Sequence, residues 1–259
     1  MGHIRLGTLP QSKKWREVVA LLEADAPLEH IAEAAAEASE RDLSRASSDP
    51  RFQFVANLLV TLPLQARSPG FSEYLESLGL GSNDMASTTD LLSGLGRAID
   101  ANAHELGHSS DAGELAKSAL LESLSVQLHD RLPTLFEPTS ADIRVALAGF
   151  SSGNEFAVLA RDFFARLTYR SLDYYLSREL ANHTGTGKRF SSDAERVAFQ
   201  EALRQHTFEA SQIVQEFAGG WYGKTIWQKQ RLDHEAVNGF TRFAFTKLRK
   251  ELGRRRAAA

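Results

Sequence analysis

Cysteine is absent from all 259 residues, so the chain has no disulfide, no thiolate nucleophile and no Cys-ligated zinc or iron–sulfur centre. A cysteine-free protein suits a reducing compartment, and a cytoplasmic location is the expectation. Long apolar runs are missing as well. No stretch approaches the roughly 18–20 continuous apolar residues of a membrane span. The opening Met1-Gly2-His3-Ile4-Arg5-Leu6-Gly7 has no apolar core of signal-peptide length, and Leu6 stands where a myristoylation motif needs Ser or Thr. The chain is therefore expected to make no use of a membrane. Nor is there an excess of one charge: 30 Lys and Arg face 33 Asp and Glu, a formal net charge of -3. No global field then recruits nucleic acid, and any such attraction must be local.

Alternating apolar and polar residues, the mark of a half-buried strand, are scarce, whereas apolar residues at helical spacing fill nearly every segment. The expected class is all-α, an irregular multi-helix bundle. Trp15, Val18, Val19 and Leu22 form a first stripe after Ser12, and Pro27 opens a second helix carrying Ile31, Ala35, Ala38 and Leu43. Ser47-Ser48-Asp49-Pro50 reads as a stop and a new start, and Pro63 is expected to end or kink the helix that follows. Thr88 and Thr89 suit the cap of the next helix, which the 107–110 segment ends; Asp111 suits the cap of another. Residues 154–183 hold a periodic pattern for roughly eight turns without Gly or Pro, and predict one central long helix whose aromatic stripe lies in the core. A further helix is expected from Ser191 or Ser192 through Phe217, broken by Gly219-Gly220, and Asp233 caps a last one. If the chain divides, residues 1–80 form an N-terminal helical lobe and 84–259 a larger bundle, with the Gly/Ser/Asn-rich segment near 79–84 between them; a single domain is the alternative.

Three local patterns carry chemistry. His104-Glu105-Leu106-Gly107-His108 has the spacing of a zinc-protease signature, in which two histidines one helical turn apart bind Zn²⁺ and the glutamate activates its water. A zinc hydrolase using His104, His108 and Glu105 is thus one reading, with Zn as cofactor. A third ligand is needed, and the positions where the extended motif has Gly and His hold Asp111 and Glu114. Glu114 or Glu122 would have to serve at a distance.

The segment from Arg178 to His183 resembles, in its arginine-to-histidine spacing, the active-site pair of the HEPN ribonucleases, which are helical and metal-independent. That resemblance implies His183 as general acid or base and Arg178 as stabiliser of charge on phosphate. Glu179 departs from the usual pattern. Two cations at a helix C-terminus also complement its dipole without any catalytic role. Gly185-Thr186-Gly187-Lys188 lacks the first glycine and the final Ser or Thr of a phosphate-binding loop and reads as a turn.

Trp221, Tyr222, Lys224 and Trp227, set among glycines, suit a protein-recognition loop, since aromatics bury much area for little lost entropy; alternatively the rings plug the core. Lys247, Arg249, Lys250, Arg254, Arg255 and Arg256 give the chain a basic end that suits nucleic-acid phosphate or an acidic partner. With no complete catalytic constellation, the expected function is a non-enzymatic helical adaptor or subunit of a bacterial cytoplasmic assembly. Its main partner is another protein subunit, with a nucleic-acid link such as defence against phage. The zinc hydrolase and the ribonuclease are the enzymatic alternatives.

Overall fold

The computed structural model describes residues 12–39, 48–105, 107, 110–133, 137–229 and 233–258; side chains beyond 254, and those of 228 and 229, are outside the description. Leu43 and His108 fall outside the described residues. The described chain is all-α: α1 Lys13–Glu23, α2 Leu28–Ala38, α3 Pro50–Ala66, α4 Phe71–Ser77, a 3-10 turn Ser82–Met85, α5 Thr88–Glu105, α6 Asp111–His129, α7 Ser140–Gly149, α8 Gly153–Asn182, α9 Asp193–Ala210, α10 Gln212–Lys229 and α11 His234–Ala258.

Most helices begin where a short polar side chain meets a free backbone N–H. Ser12 accepts from Trp15 N, Asp49 from Phe52 N, Ser152 from Glu155 N and Ser192 from Glu195 N. Asp233 Oδ1 accepts from Ala236 N at 2.7 Å. At α6 the cap is Ser110, which accepts from Gly113 N, and Asp111 is instead the first helical residue, its carboxylate accepting from the Tyr174 hydroxyl at 2.6 Å. Thr139 and Asp142 form a reciprocal capping box that starts α7.

The long helix α8 is the axis of the molecule. It packs against α6, α9 and α10, while α3 contacts α5, α6, α7 and α11, and α2 joins α1 to α11. Its first half places Phe156, Phe163 and Phe164 in a large apolar cluster shared with α3, α5, α6, α7, α10 and α11. Its second half gives Leu172, Leu176 and Leu180 to a smaller cluster with Trp15, Val18, Ile31, Leu203 and Leu252. Arg189 ties the α1–α2 turn to this second cluster, donating from Nη2 to Ala26 O at 2.7 Å.

Three boundaries differ from the sequence expectation. Pro63 lies inside α3, which runs on unbroken to Ala66, and the proline itself is buried in the core. The helix expected across 191–217 is two helices, because Ser211 closes α9 with its N–H bonded to Glu209 and Thr207 carbonyls. Gly219 and Gly220 do not break the next helix but sit within α10. Gly219 is required there by close packing: a Cβ on it would lie 2.7 Å from the Gly153 carbonyl oxygen, and one on Gly153 would lie 2.9 Å from that of Gly219. Two bare backbones let α8 and α10 meet, so the glycines join helices where the sequence suggested a break.

Candidate functional site

The aromatic segment of α10 splits into an inner and an outer face. Tyr222 is fully buried, stacked on Phe156 at 4.0 Å between ring centroids, and its hydroxyl donates to Val60 O at 3.2 Å. Burial pushes the phenol well above its ordinary range. Trp221 is half-buried and stacks on Phe240 at 4.2 Å. These two rings fill the core. Trp227, by contrast, is 81% exposed. It follows Gly220, Gly223 and Lys224, all exposed and all at one helical face by their spacing of three and four. A Cβ at Gly220 or Gly223 would touch none of the described residues within 4 Å. The loop expected at these residues is therefore a helix face, with Lys224 and Trp227 facing out and Trp221 and Tyr222 facing in.

The basic end falls on α11. Lys247, Lys250 and Arg254 line a groove of about 420 Å³ together with Gln212, Ile213, Glu216 and Glu251. Two of its acids answer three cations. Arg254 donates to Glu251 at 2.9 Å, and the Lys247 ammonium sits 5.2 Å from the centroid of the Phe243 ring. Arg249 is half-buried on α11, and the side chains of Arg255 and Arg256 lie outside those described.

His104 and Glu105 are exposed and end α5, after which Gly107 takes φ +60, a left-handed conformation that terminates the helix. The helical register that would bring position 108 above His104 thus stops between them; His108 itself is outside the described residues. Glu114 is bound by Arg51 at 2.6 Å, and both oxygens of Glu122 are held by Arg166 and Arg170. Among the described residues, no three His, Asp or Glu side chains converge in a metal-binding group. Arg178 is exposed on α8, while His183 caps the same helix, half-buried, its N–H bonded to Glu179 O at 3.0 Å. Neither lines the groove on α11 nor the one described next.

That second groove, of about 150 Å³, has no counterpart in the sequence reading. Asp162, Ala165, Arg166, Tyr169 and Arg170 of α8 face Glu122 of α6 and Arg204 and Phe208 of α9 across it. Arg166 is fixed from both sides: its Nε donates to Asp162 at 2.7 Å and its Nη1 to Glu122. Among the described residues, Arg170 donates only through Nη2, to Glu122, and Arg204 spends Nε and Nη2 on Glu201. The Glu201 hydrogen bond raises the Arg204 pKa. The Tyr169 hydroxyl bonds none of the described residues, and burial, seconded by Asp173 and Glu201, raises its pKa. Phe208 is 38% exposed, with the Arg161 guanidinium 4.3 Å from its ring centroid. The sequence signal for this groove is the run Asp162, Arg166, Arg170 at successive turns of a helix whose other positions are mostly apolar. A charged stripe on a helix packed on several sides calls for partners.

No protein-family model matches the chain, and no curated protein and no solved structure matches it significantly. Among the described residues, no helix is long and apolar enough to cross a membrane.

Proposed function

We propose that the chain is a non-enzymatic helical adaptor, a subunit that docks a helix of another protein onto the outer face of α10. The observation that carries this reading is the 81% exposure of Trp227 at the end of a face formed by Gly220, Gly223 and Lys224. A tryptophan left in water forgoes the burial that makes it, with tyrosine and arginine, a frequent anchor of protein interfaces. Each exposed glycine inside a helix costs about 1 kcal/mol relative to alanine, and none of the described residues packs against either one. A second helix laid on the face would use both, because bare Cα atoms allow backbones to approach closely while the indole fills the partner's groove. Lys224, between them, favours an acidic residue opposite. A cytoplasmic bacterial assembly, and a link to nucleic acid through the basic groove on α11, complete the proposal.

The test places a photo-crosslinking residue at position 224 in the organism of origin and identifies the captured peptide by mass spectrometry. The expected result is one protein, captured through a helical segment, with capture abolished by Gly223→Leu and reduced at least tenfold by Trp227→Ala. If both variants capture the same peptide as the wild type, the docking face is wrong. If the captured peptide comes from this chain, the face is a self-association surface rather than an adaptor surface.

A further inference from the structure

The arginine-lined groove between α6, α8 and α9 is separate from the α10 face and does not depend on that reading. Its walls differ from an ordinary surface ion-pair network in how their hydrogen-bonding groups are used. Arg166 is held from two sides by Asp162 and Glu122 at 18% side-chain exposure, so it acts as a fixed wall. Arg170 is different: its Nε and Nη1 bond none of the described residues, and its one partner among them is Glu122, whose side chain is 42% exposed. Nη1 of Arg204 and the Tyr169 hydroxyl are likewise uncommitted among the described residues. Three side chains that carry four donor positions uncommitted among the described residues therefore line a space of about 150 Å³. That equals the liquid volume of about five waters, room for a phosphoryl group and a few further atoms.

The occupant's charge and shape follow from these groups. Two of the three side chains are guanidinium ions, whose uncommitted N–H groups can only donate and whose planar forks match the oxygens of phosphate, and the Tyr169 hydroxyl can donate beside them. Glu122, bridging Arg166 and Arg170 with one oxygen each, already stands as an internal carboxylate in the place such oxygens would take. Beside the donors lie the Tyr169 ring and the partly exposed Phe208 ring, flat apolar surfaces of the kind on which a planar ring stacks.

From this arrangement we infer that the groove binds a small phosphate monoester carrying a planar ring, with Arg170, Arg204 and Tyr169 donating to the phosphate and Phe208 contacting the ring. Glu122 acts as a competitor that the phosphate displaces from Arg170. The two residues must then have opposite effects. Removing the charge of Glu122 tightens binding, whereas removing that of Arg170 weakens it.

The test is calorimetric titration of the full chain with adenosine 5′-monophosphate, inorganic phosphate and adenosine. The expected order is adenosine monophosphate tighter than phosphate, with no saturation by adenosine. Glu122→Gln is expected to tighten both phosphate-bearing probes several-fold, and Arg170→Gln to weaken them about tenfold, the value of one charge-assisted hydrogen bond. The helical circular dichroism of each variant reports whether it folds; should Arg170→Gln fail to fold, Arg204→Gln takes its place with the same expected loss. The inference is overturned if neither the wild type nor Glu122→Gln saturates with a phosphate-bearing probe, or if the arginine variant binds as the wild type does. Equal binding of phosphate and adenosine monophosphate overturns the role of Phe208.

Discussion

At the scale of single residues, three glycines of one helix have unlike roles. Gly219 faces the Gly153 backbone, and any side chain there must push α8 and α10 apart. Gly220 and Gly223 meet none of the described residues. Gly219→Ala is therefore expected to destabilise the fold by about 1–3 kcal/mol, the usual cost of overpacking. Gly220→Ala and Gly223→Ala should each stabilise the isolated chain by about 0.5–1 kcal/mol through helix propensity. Denaturant unfolding of the three variants checks the sign; if all three shift in the same direction, the close approach of the two backbones is wrong. The contrast also marks what the sequence could and could not disclose. Ser12 and Asp233 were legible as helix starts, the run ending in Asp49 and the pair Ser191-Ser192 less sharply so, because a cap is a contact within four residues. The role of Gly219 is set by Gly153 on another helix, so from its own neighbourhood it looks like a break. Trp221, Tyr222 and Trp227 are similar in sequence context, and only the tertiary contacts separate the two that fill the core from the one that faces water.

At the scale of elements, two helix starts are expected to respond to acid. Asp142 is held below the ordinary carboxylate range by the Thr139 hydroxyl and then by its backbone N–H, and Glu195 likewise by Ser191. A carboxylate whose folded pKa is lowered stabilises the fold above its unfolded pKa, and that contribution is lost as pH falls through the folded value. The N-termini of α7 and α9 should therefore loosen on acidification. The double variant Asp142→Asn/Glu195→Gln is expected to melt below the wild type at neutral pH, with the gap closing as pH falls past the ordinary carboxylate range. A gap that stays constant with pH would show that these carboxylates do not contribute through their charge. The start of α7 was open to sequence reading, since Thr139 and Asp142 have the spacing of a capping box. What hid the groove on α8 was of another kind. Arg166 and Arg170 are legible as a charged stripe, but their partners Glu122 and Arg204 come from α6 and α9, and periodicity within one helix says nothing about which neighbours meet it.

At the scale of the whole molecule, α8 runs without interruption through both apolar clusters. Trp15 lies in the smaller cluster, buried against Tyr175 at 4.8 Å, and Trp221 packs on the larger one. Because one rigid helix joins the two, they are expected to unfold together. With Trp227 replaced by Phe, the single-tryptophan chains that retain only Trp15 or only Trp221 should give coincident denaturation midpoints, matching the loss of helical circular dichroism. Separated midpoints would mean that the clusters melt independently. The all-α class and the central long helix were readable because they rest on a pattern repeated over the whole chain, which no single boundary error can undo. Finer matters, such as the continuation of α3 past Pro63, were not readable, since burial of the proline among core residues outweighs the hydrogen bond it lacks.

The meeting of Gly153 and Gly219 has a consequence on the timescale of descent. Neither position can acquire a side chain unless its counterpart's helix shifts, so substitutions at the two are tied to one another while the surrounding surface is free to drift. Chains that share this ancestry should retain glycine at both positions together, long after overall identity has faded. A pair of vacancies, one at the start of the longest helix and one midway along α10, would then outlast most of the side chains around it as a mark of common origin.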